Sequence, residues 1–149
     1  MGMGMMMGMG RDSATMAQMR VIHELVVNHD RIERTVTNLP NGIRTVTTST
    51  DSSLARFIRE HVLTMDARVS RGDDPGLPME SDALRALFRN NDKITTVTDT
   101  IATGIIVVQT STDSTVVAAL QQHAAEVSNL VRGGMAAMHE AMMKQRSRD

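Results

Sequence analysis

Residues 30–52 read D-R-I-E-R-T-V-T-N-L-P-N-G-I-R-T-V-T-T-S-T-D-S, and residues 92–114 read D-K-I-T-T-V-T-D-T-I-A-T-G-I-I-V-V-Q-T-S-T-D-S. The two stretches align without a gap at an offset of 62 residues, and the same offset places His61 on His123. A repeat of this length is a structural unit that the chain uses twice. The sequence therefore predicts a fold with an internal pseudo-twofold axis.

Each copy of the repeat contains a predicted β-hairpin, over residues 32–49 and 94–112. Pro40 presets one turn position of the first hairpin, and Asn41 with Gly42 tolerates a positive φ, so this turn is well specified. The match between the two copies slips by one residue within the first strand of each hairpin. That slip predicts a β-bulge in one of the two strands.

Helices are predicted on both sides of each hairpin, because apolar residues recur there at helical spacing. They cover residues 14 to about 29, 51–70, 81–90 and 114–132, and a last helix over 135–146 follows the break at Gly133-Gly134. The order α-β-β-α, written twice, predicts an α+β fold with one four-stranded antiparallel sheet and helices packed on one face. The apolar run over residues 105–108 does not alternate, which predicts cover on both faces, and a homodimer could form through the bare face or an edge.

A chain of 149 residues suits one compact domain. Residues 1–13 are predicted to be a flexible tail, because their Met/Gly tract has no periodicity. Residues 14–146 are expected to form a single domain, made of repeats over about 14–71 and 80–133 and a C-terminal helix rich in Met and His.

The composition excludes several classes of function. Sixteen basic and seventeen acidic side chains leave no basic field for nucleic acid or an anionic membrane. The absence of cysteine excludes disulfides, thiolate metal sites, iron–sulfur clusters and covalently attached c-type haem. No apolar run is long enough to predict a membrane span. No phosphate-binding loop, nucleophile elbow or H-E-x-x-H motif occurs, so an ordinary enzyme is not favoured.

Methionine is the compositional extreme, with 14 residues, and thioethers together with imidazoles favour Cu(I). Met16, Met19 and His23 are spaced to lie along one side of the first helix. Methionine at helical spacing is also common as core filler, and a buried histidine commonly bonds a backbone carbonyl, so both interpretations stay open. The remaining candidate metal ligands are His29, His61 and His123 on apolar stripes, and Met135, Met138, His139 and Met142 on the last helix.

The segments His29-Asp30-Arg31-Ile32 and Met138-His139-Glu140, with the turn over residues 39–43, resemble a group of small bacterial periplasmic or secreted proteins with a duplicated hairpin unit. The likeness covers nearly all of the chain beyond residue 15. It implies a periplasmic or secreted protein, with the signal peptide expected to have been removed. The tract over residues 1–9 separately resembles the Met-rich segments of bacterial periplasmic copper-handling proteins. Asn91 stands where the first repeat has His29, so a single or asymmetric site is expected.

These observations lead to one leading hypothesis and two rivals. The leading hypothesis is a non-enzymatic periplasmic protein that binds copper, as Cu(I), through the Met and His clusters. The first rival keeps the histidines but gives them a noncovalently bound haem, with His or Met as axial ligands. The second rival is a structural homo-oligomer that holds no metal.

Overall fold

The structure, a computed structural model, describes residues 16–148. The predicted tail over residues 1–13 and the start of the first helix lie outside the described residues. In chain order the elements are α1 (residues 16–27), a 3-10 turn (His29–Arg31), β1 (Glu33–Leu39), β2 (Gly42–Thr48), α2 (Ser52–Ser70), α3 (Asp82–Arg89), a second 3-10 turn (Asn91–Lys93), β3 (Thr95–Ile101), β4 (Gly104–Thr110) and a helical segment (Ser114–Arg148). Gly134, with φ 60° and ψ −137°, divides that segment into α4 up to residue 133 and α5 from residue 135, at the predicted break.

The four strands form one antiparallel sheet in the order β1-β2-β4-β3, which confirms the predicted α+β fold. Val36 pairs with Thr45 and Thr98 pairs with Val107, so both hairpins have the same uninterrupted register. The predicted β-bulge is therefore wrong, because the mismatch between the repeats is a substitution and not an insertion. In the centre of the sheet Thr45 pairs with Val107, its own equivalent in the other repeat, so the pseudo-twofold axis passes through this pair.

The long helices pack across the axis onto one face of the sheet. Helix α2 of the first repeat contacts β4 of the second, and α4 of the second repeat contacts β1 and β2 of the first. Alternate residues of β2 and β4 are buried beneath them, whereas the residues between are partly buried or, at Arg44, exposed. Helices on one face are therefore confirmed. The second face, which carries Val46, Ile106, Val108 and the 60% exposed Val97, has no such burial within residues 16–148.

Both long helices begin in the same way. Asp51 accepts hydrogen bonds from two backbone N–H groups at the start of α2, and Asp113 accepts one of 2.9 Å from the N–H of Thr115 in α4. Each of these carboxylates also pairs with a cation that precedes the adjacent hairpin, Arg31 at 2.8 Å and Lys93 at 3.3 Å. The repeated T-S-T-D-S sequence thus repeats its capping function.

Gly42 and Gly104 are required by close backbone approach. Among residues 16–148 positive φ occurs only at other glycines, so the predicted turn forms without the positive φ that Asn41 and Gly42 tolerate. A Cβ built on Gly42 would overlap the carbonyl oxygen of Gln109, and one built on Gly104 would overlap that of Thr47. Both glycines therefore let the two central strands approach each other.

The buried apolar residues form two clusters, each of which joins elements of both repeats. In one, Ile43 of β2 packs with residues of α3 and α4. In the other, Ile58 of α2 packs with Ile105 and Val107 of β4. None of the helices within residues 16–148 has the length and apolar character needed to cross a membrane.

Candidate functional site

A cavity of about 890 Å³ lies between the helices and the face of the sheet that they cover. Its lining is mainly apolar and includes members of both core clusters, Ile43 and Ala124 from one, Ile105 and Val107 from the other. Pockets that hold cofactors and other small molecules have volumes of about 300–1,000 Å³. The cavity is therefore the candidate site, and its polar residues determine what it can bind.

His61 on α2 and His123 on α4 occupy equivalent positions of the repeat, and both line the cavity. The Nδ1 atom of each ring is buried and has no hydrogen-bond partner within residues 16–148. Burial, with a smaller contribution from His123, lowers the pKa of His61 to about 4. The imidazole of His61 is therefore neutral at pH 7, which is the form that binds metals.

Glu126 gives His123 the surroundings of a ligating histidine. Its Oε1 lies 3.8 Å from Nδ1 of His123, too far for a hydrogen bond, and accepts a hydrogen bond of 2.5 Å from Ser81 Oγ. A carboxylate on the Nδ1 side of a ring typically orients it so that Nε2 can bind a metal.

His29 is held in one orientation at the end of α4. Its Nδ1 lies 2.7 Å from the carbonyl oxygen of Val131, and a Cβ built on Gly134 would overlap the ring. Because a carbonyl can only accept, Nδ1 donates in this contact, and in the neutral ring the acceptor is then Nε2. His29 also lines the cavity, which adds a third imidazole to the lining. The equivalent residue, Asn91, packs against Gly72 instead.

The ten ligands predicted from the sequence fall into two groups. His29, His61, His123 and Met138 line the cavity, whereas Met16, Met19, His23, Met135, His139 and Met142 do not. Met16 is 62% exposed and Met135 is 48% exposed, but Met138 is only 6% exposed, so the C-terminal group extends from the interior to the surface. Within residues 16–148 no three His, Asp or Glu side chains form a group that could hold a metal ion.

Sequence reasoning missed two thioethers and the charged residues of the cavity. Met65 on α2 and Met79, in the loop before α3, both line it. Arg34 and Asp66 are charged residues of the lining, and the others are Glu80, Glu126, Arg132, Glu140 and Lys144. Arg34 could have been found, because it lies two residues before the inward-facing Val36 on the same strand.

Burial shifts the pKa of Arg34 and that of Asp66. It lowers the pKa of Arg34 to about 10 and raises the pKa of Asp66 to about 6. At pH 7 Arg34 therefore remains a cation, and Asp66 is largely ionised with its Oδ2 buried and without a partner in the described part of the chain. Neither residue forms an ion pair within residues 16–148.

The fold and the cavity together define a small α+β domain with an internal repeat and a mainly apolar site between its helices and its sheet. Comparison of the chain with protein-family models, with curated proteins and with solved structures gives no match. The chemistry of the cavity is therefore assigned from its own residues.

Proposed function

We propose that the protein is a non-enzymatic binding protein that holds a haem noncovalently in the cavity, with His61 or His123 as an axial ligand. The observation that carries the proposal is the pair of equivalent imidazoles in a mainly apolar cavity of about 890 Å³. A single metal ion would leave most of this volume unfilled, whereas a tetrapyrrole is a ligand of the appropriate size.

The other residues of the lining suit the same ligand. A neutral imidazole is the usual axial ligand of haem iron, and a thioether is a common second one, which Met65, Met79 or Met138 would supply. Phe57 and Phe88 are the only aromatic residues of the chain, so Ile, Val and Leu side chains would form the walls around the ring.

Titration of the purified chain with haemin tests the proposal. We expect a shifted and sharpened Soret band in the native protein, and its loss in His61→Ala, His123→Ala or the double variant. His23→Ala and His139→Ala are matched controls, because both histidines are exposed and lie outside the cavity. Identical spectra from the cavity and control variants would contradict the proposal.

Copper binding is the second candidate, favoured by the thioethers that share the cavity with the imidazoles. A Cu(I) centre there would use His61, His123 and Met138, and competition with a Cu(I) chelator would show its loss in the same histidine variants. A centre at the chain ends would respond differently. Removal of residues 1–10 and Met→Leu changes at residues 135, 138 and 142 would abolish it, whereas His61→Ala would not.

A homodimer is the third candidate, and the uncovered face of the sheet supports it. The register places Val97 beside Val108 and Val46 beside Ile106, so four apolar side chains form a patch there. Light scattering would detect the dimer, and Val97→Lys should abolish it without changing the haemin spectrum.

The periplasmic or secreted location implied by the sequence resemblance is part of the proposed function, and fractionation of the native cells would test it.

A further inference from the structure

Arg34 is a largely buried cation whose hydrogen-bond partners are all neutral. Its Nε donates to Ser128 Oγ at 3.2 Å, its Nη1 to Thr47 Oγ1 at 3.0 Å and its Nη2 to the carbonyl oxygen of Ala124 at 3.5 Å. A guanidinium has five N–H donors. Each of the two terminal nitrogens therefore keeps one N–H group without an acceptor within residues 16–148.

The other repeat has no cation at the equivalent place. Thr96 stands where the first repeat has Arg34, and its Oγ1 accepts a hydrogen bond of 3.3 Å from Gln109 Nε2. Asp66 stands where the second repeat has Ser128, with its Oδ2 buried and without a partner in the described chain. Arg34 beside Ser128 in one half thus corresponds to Thr96 and Asp66 in the other, so the pseudo-twofold relates a positive part of the cavity wall to a negative one.

We propose that the ligand of the cavity carries a carboxylate that binds Arg34, and that the contrast between Arg34 and Asp66 fixes the ligand's orientation. This inference rests on the proposed function, because it requires that a ligand occupies the cavity. The two free N–H groups, one on each terminal nitrogen, suit bidentate binding of a carboxylate. A ligand turned by the pseudo-twofold would move its carboxylate from Arg34 and Ser128 to their equivalents Thr96 and Asp66, where the charge of Asp66 repels it.

Haemin and its dimethyl ester provide a matched test, because they share the ring and the iron and differ only in their carboxylates. We expect the native protein to bind haemin about 10- to 100-fold more tightly than the ester, the difference that one charge-assisted hydrogen-bonded contact provides. Arg34→Gln should lower the affinity for haemin to that for the ester and leave the ester's own affinity unchanged. Arg34→Lys should keep part of the preference.

Asp66→Asn should keep the preference for haemin but admit a second haem orientation in the NMR spectrum, whereas Arg44→Gln, at an exposed arginine outside the cavity, is the control that should change neither. Equal affinity of the native protein for the two compounds would overturn the carboxylate contact while leaving haem binding intact. A preference that survives in Arg34→Gln would overturn the role of this residue. If neither compound binds the native protein, the proposed function fails and this inference fails with it. The comparison of haemin with its ester uses only the native protein. It therefore tests the carboxylate contact even if Arg34→Gln does not fold.

Discussion

The two repeats agree in the contacts that hold the fold and differ at three polar positions in or beside the cavity, although His61 and His123 match. The helix caps at Asp51 and Asp113 and the ion pairs attached to them occur in both copies. The hairpins also share one register. By contrast, three pairs of equivalent positions in or beside the cavity carry unlike residues. They are His29 and Asn91, Arg34 and Thr96, and Asp66 and Ser128.

The residues whose contacts stabilise the fold, called the frame from here on, are therefore distinct from the unlike residues of the cavity. Repeated contacts stabilise each half equally. Unlike residues in the cavity have no such constraint and give a symmetric backbone an asymmetric site. Substitutions at equivalent frame positions should therefore have equal effects, whereas those at unlike cavity positions should not.

The largest expected effect is at the central glycines. Gly42→Ala and Gly104→Ala should each destabilise the protein by about 4 kcal/mol, because the new Cβ overlaps a backbone carbonyl of the neighbouring strand, which cannot move aside cheaply. Urea unfolding measures both. Gly76→Ala is the control, since a Cβ there meets no atom within 4 Å and only the positive φ opposes it. Clearly unequal losses at Gly42 and Gly104 would break the equivalence of the repeats.

Asp66→Asn should stabilise the protein, but only above acidic pH. Burial raises the pKa of Asp66 to about 6, from 3.8 in the unfolded chain, so ionisation opposes folding at neutral pH and no longer does so once the pH falls below 3.8. We expect a gain of about 2 kcal/mol at pH 7.5 that mostly disappears by pH 4. Urea unfolding at both pH values measures it.

The control for Asp66→Asn is Asp99→Asn, because Asp99 is an exposed acid on the uncovered face of the sheet. That variant should unfold like the native protein at both pH values. An Asp66→Asn gain that is the same at pH 7.5 and pH 4 would show that the buried charge is not its cause.

Removal of either helix cap should lower the stability of the protein by the same amount. Asp51→Ala and Asp113→Ala each remove a side-chain acceptor from the start of a long helix, and the two variants should lose the same stability in urea unfolding. Ser53→Ala is a suitable control because Ser53 donates only its backbone N–H to the cap. A loss at one cap alone would mean that one repeat carries the stability of the frame.

The smallest expected effect is at the paired surface charges. Arg31→Gln and Lys93→Gln should each cost at most about 0.5 kcal/mol, because both ion pairs are largely exposed to solvent. Unfolding at low and at high salt measures this, and the difference from the native protein should shrink as salt screens the charges. A larger, salt-independent loss would indicate a packing contribution of the side-chain stems.

The fold could be predicted from the sequence because its signals are local and occur twice. Turn formers, Asp caps and the Gly133-Gly134 break each specify a short piece of backbone, and the second copy confirms the first. The structure of the turn was predicted less well, because Gly42 is required by the neighbouring strand and not by its own φ. Such a contact between residues far apart in the chain leaves no local pattern.

The candidate site could be predicted only in part. Helical spacing shows that Met16, Met19 and His23 share a side of α1, but it does not show whether that side faces the sheet. The spacing therefore grouped residues that lie outside the cavity. His61 and His123 were found because they lie on the apolar stripes that pack on the sheet. Arg34 was missed because candidate ligands were sought among His and Met alone, although strand alternation with Val36 places it on the inward face.

Each half of the chain completes the turn of the other. The N–H of Ser49 donates to the carbonyl oxygen of Thr103 at 2.8 Å, and the N–H of Ser111 donates to that of Asn41 at 2.9 Å. A chain of half this length could make these bonds only with a second copy of itself, about an exact twofold axis. Fusing two such copies into one polypeptide would relax that axis and let each half mutate alone. Identical subunits could not carry arginine at one of two equivalent positions and threonine at the other, as Arg34 and Thr96 do here.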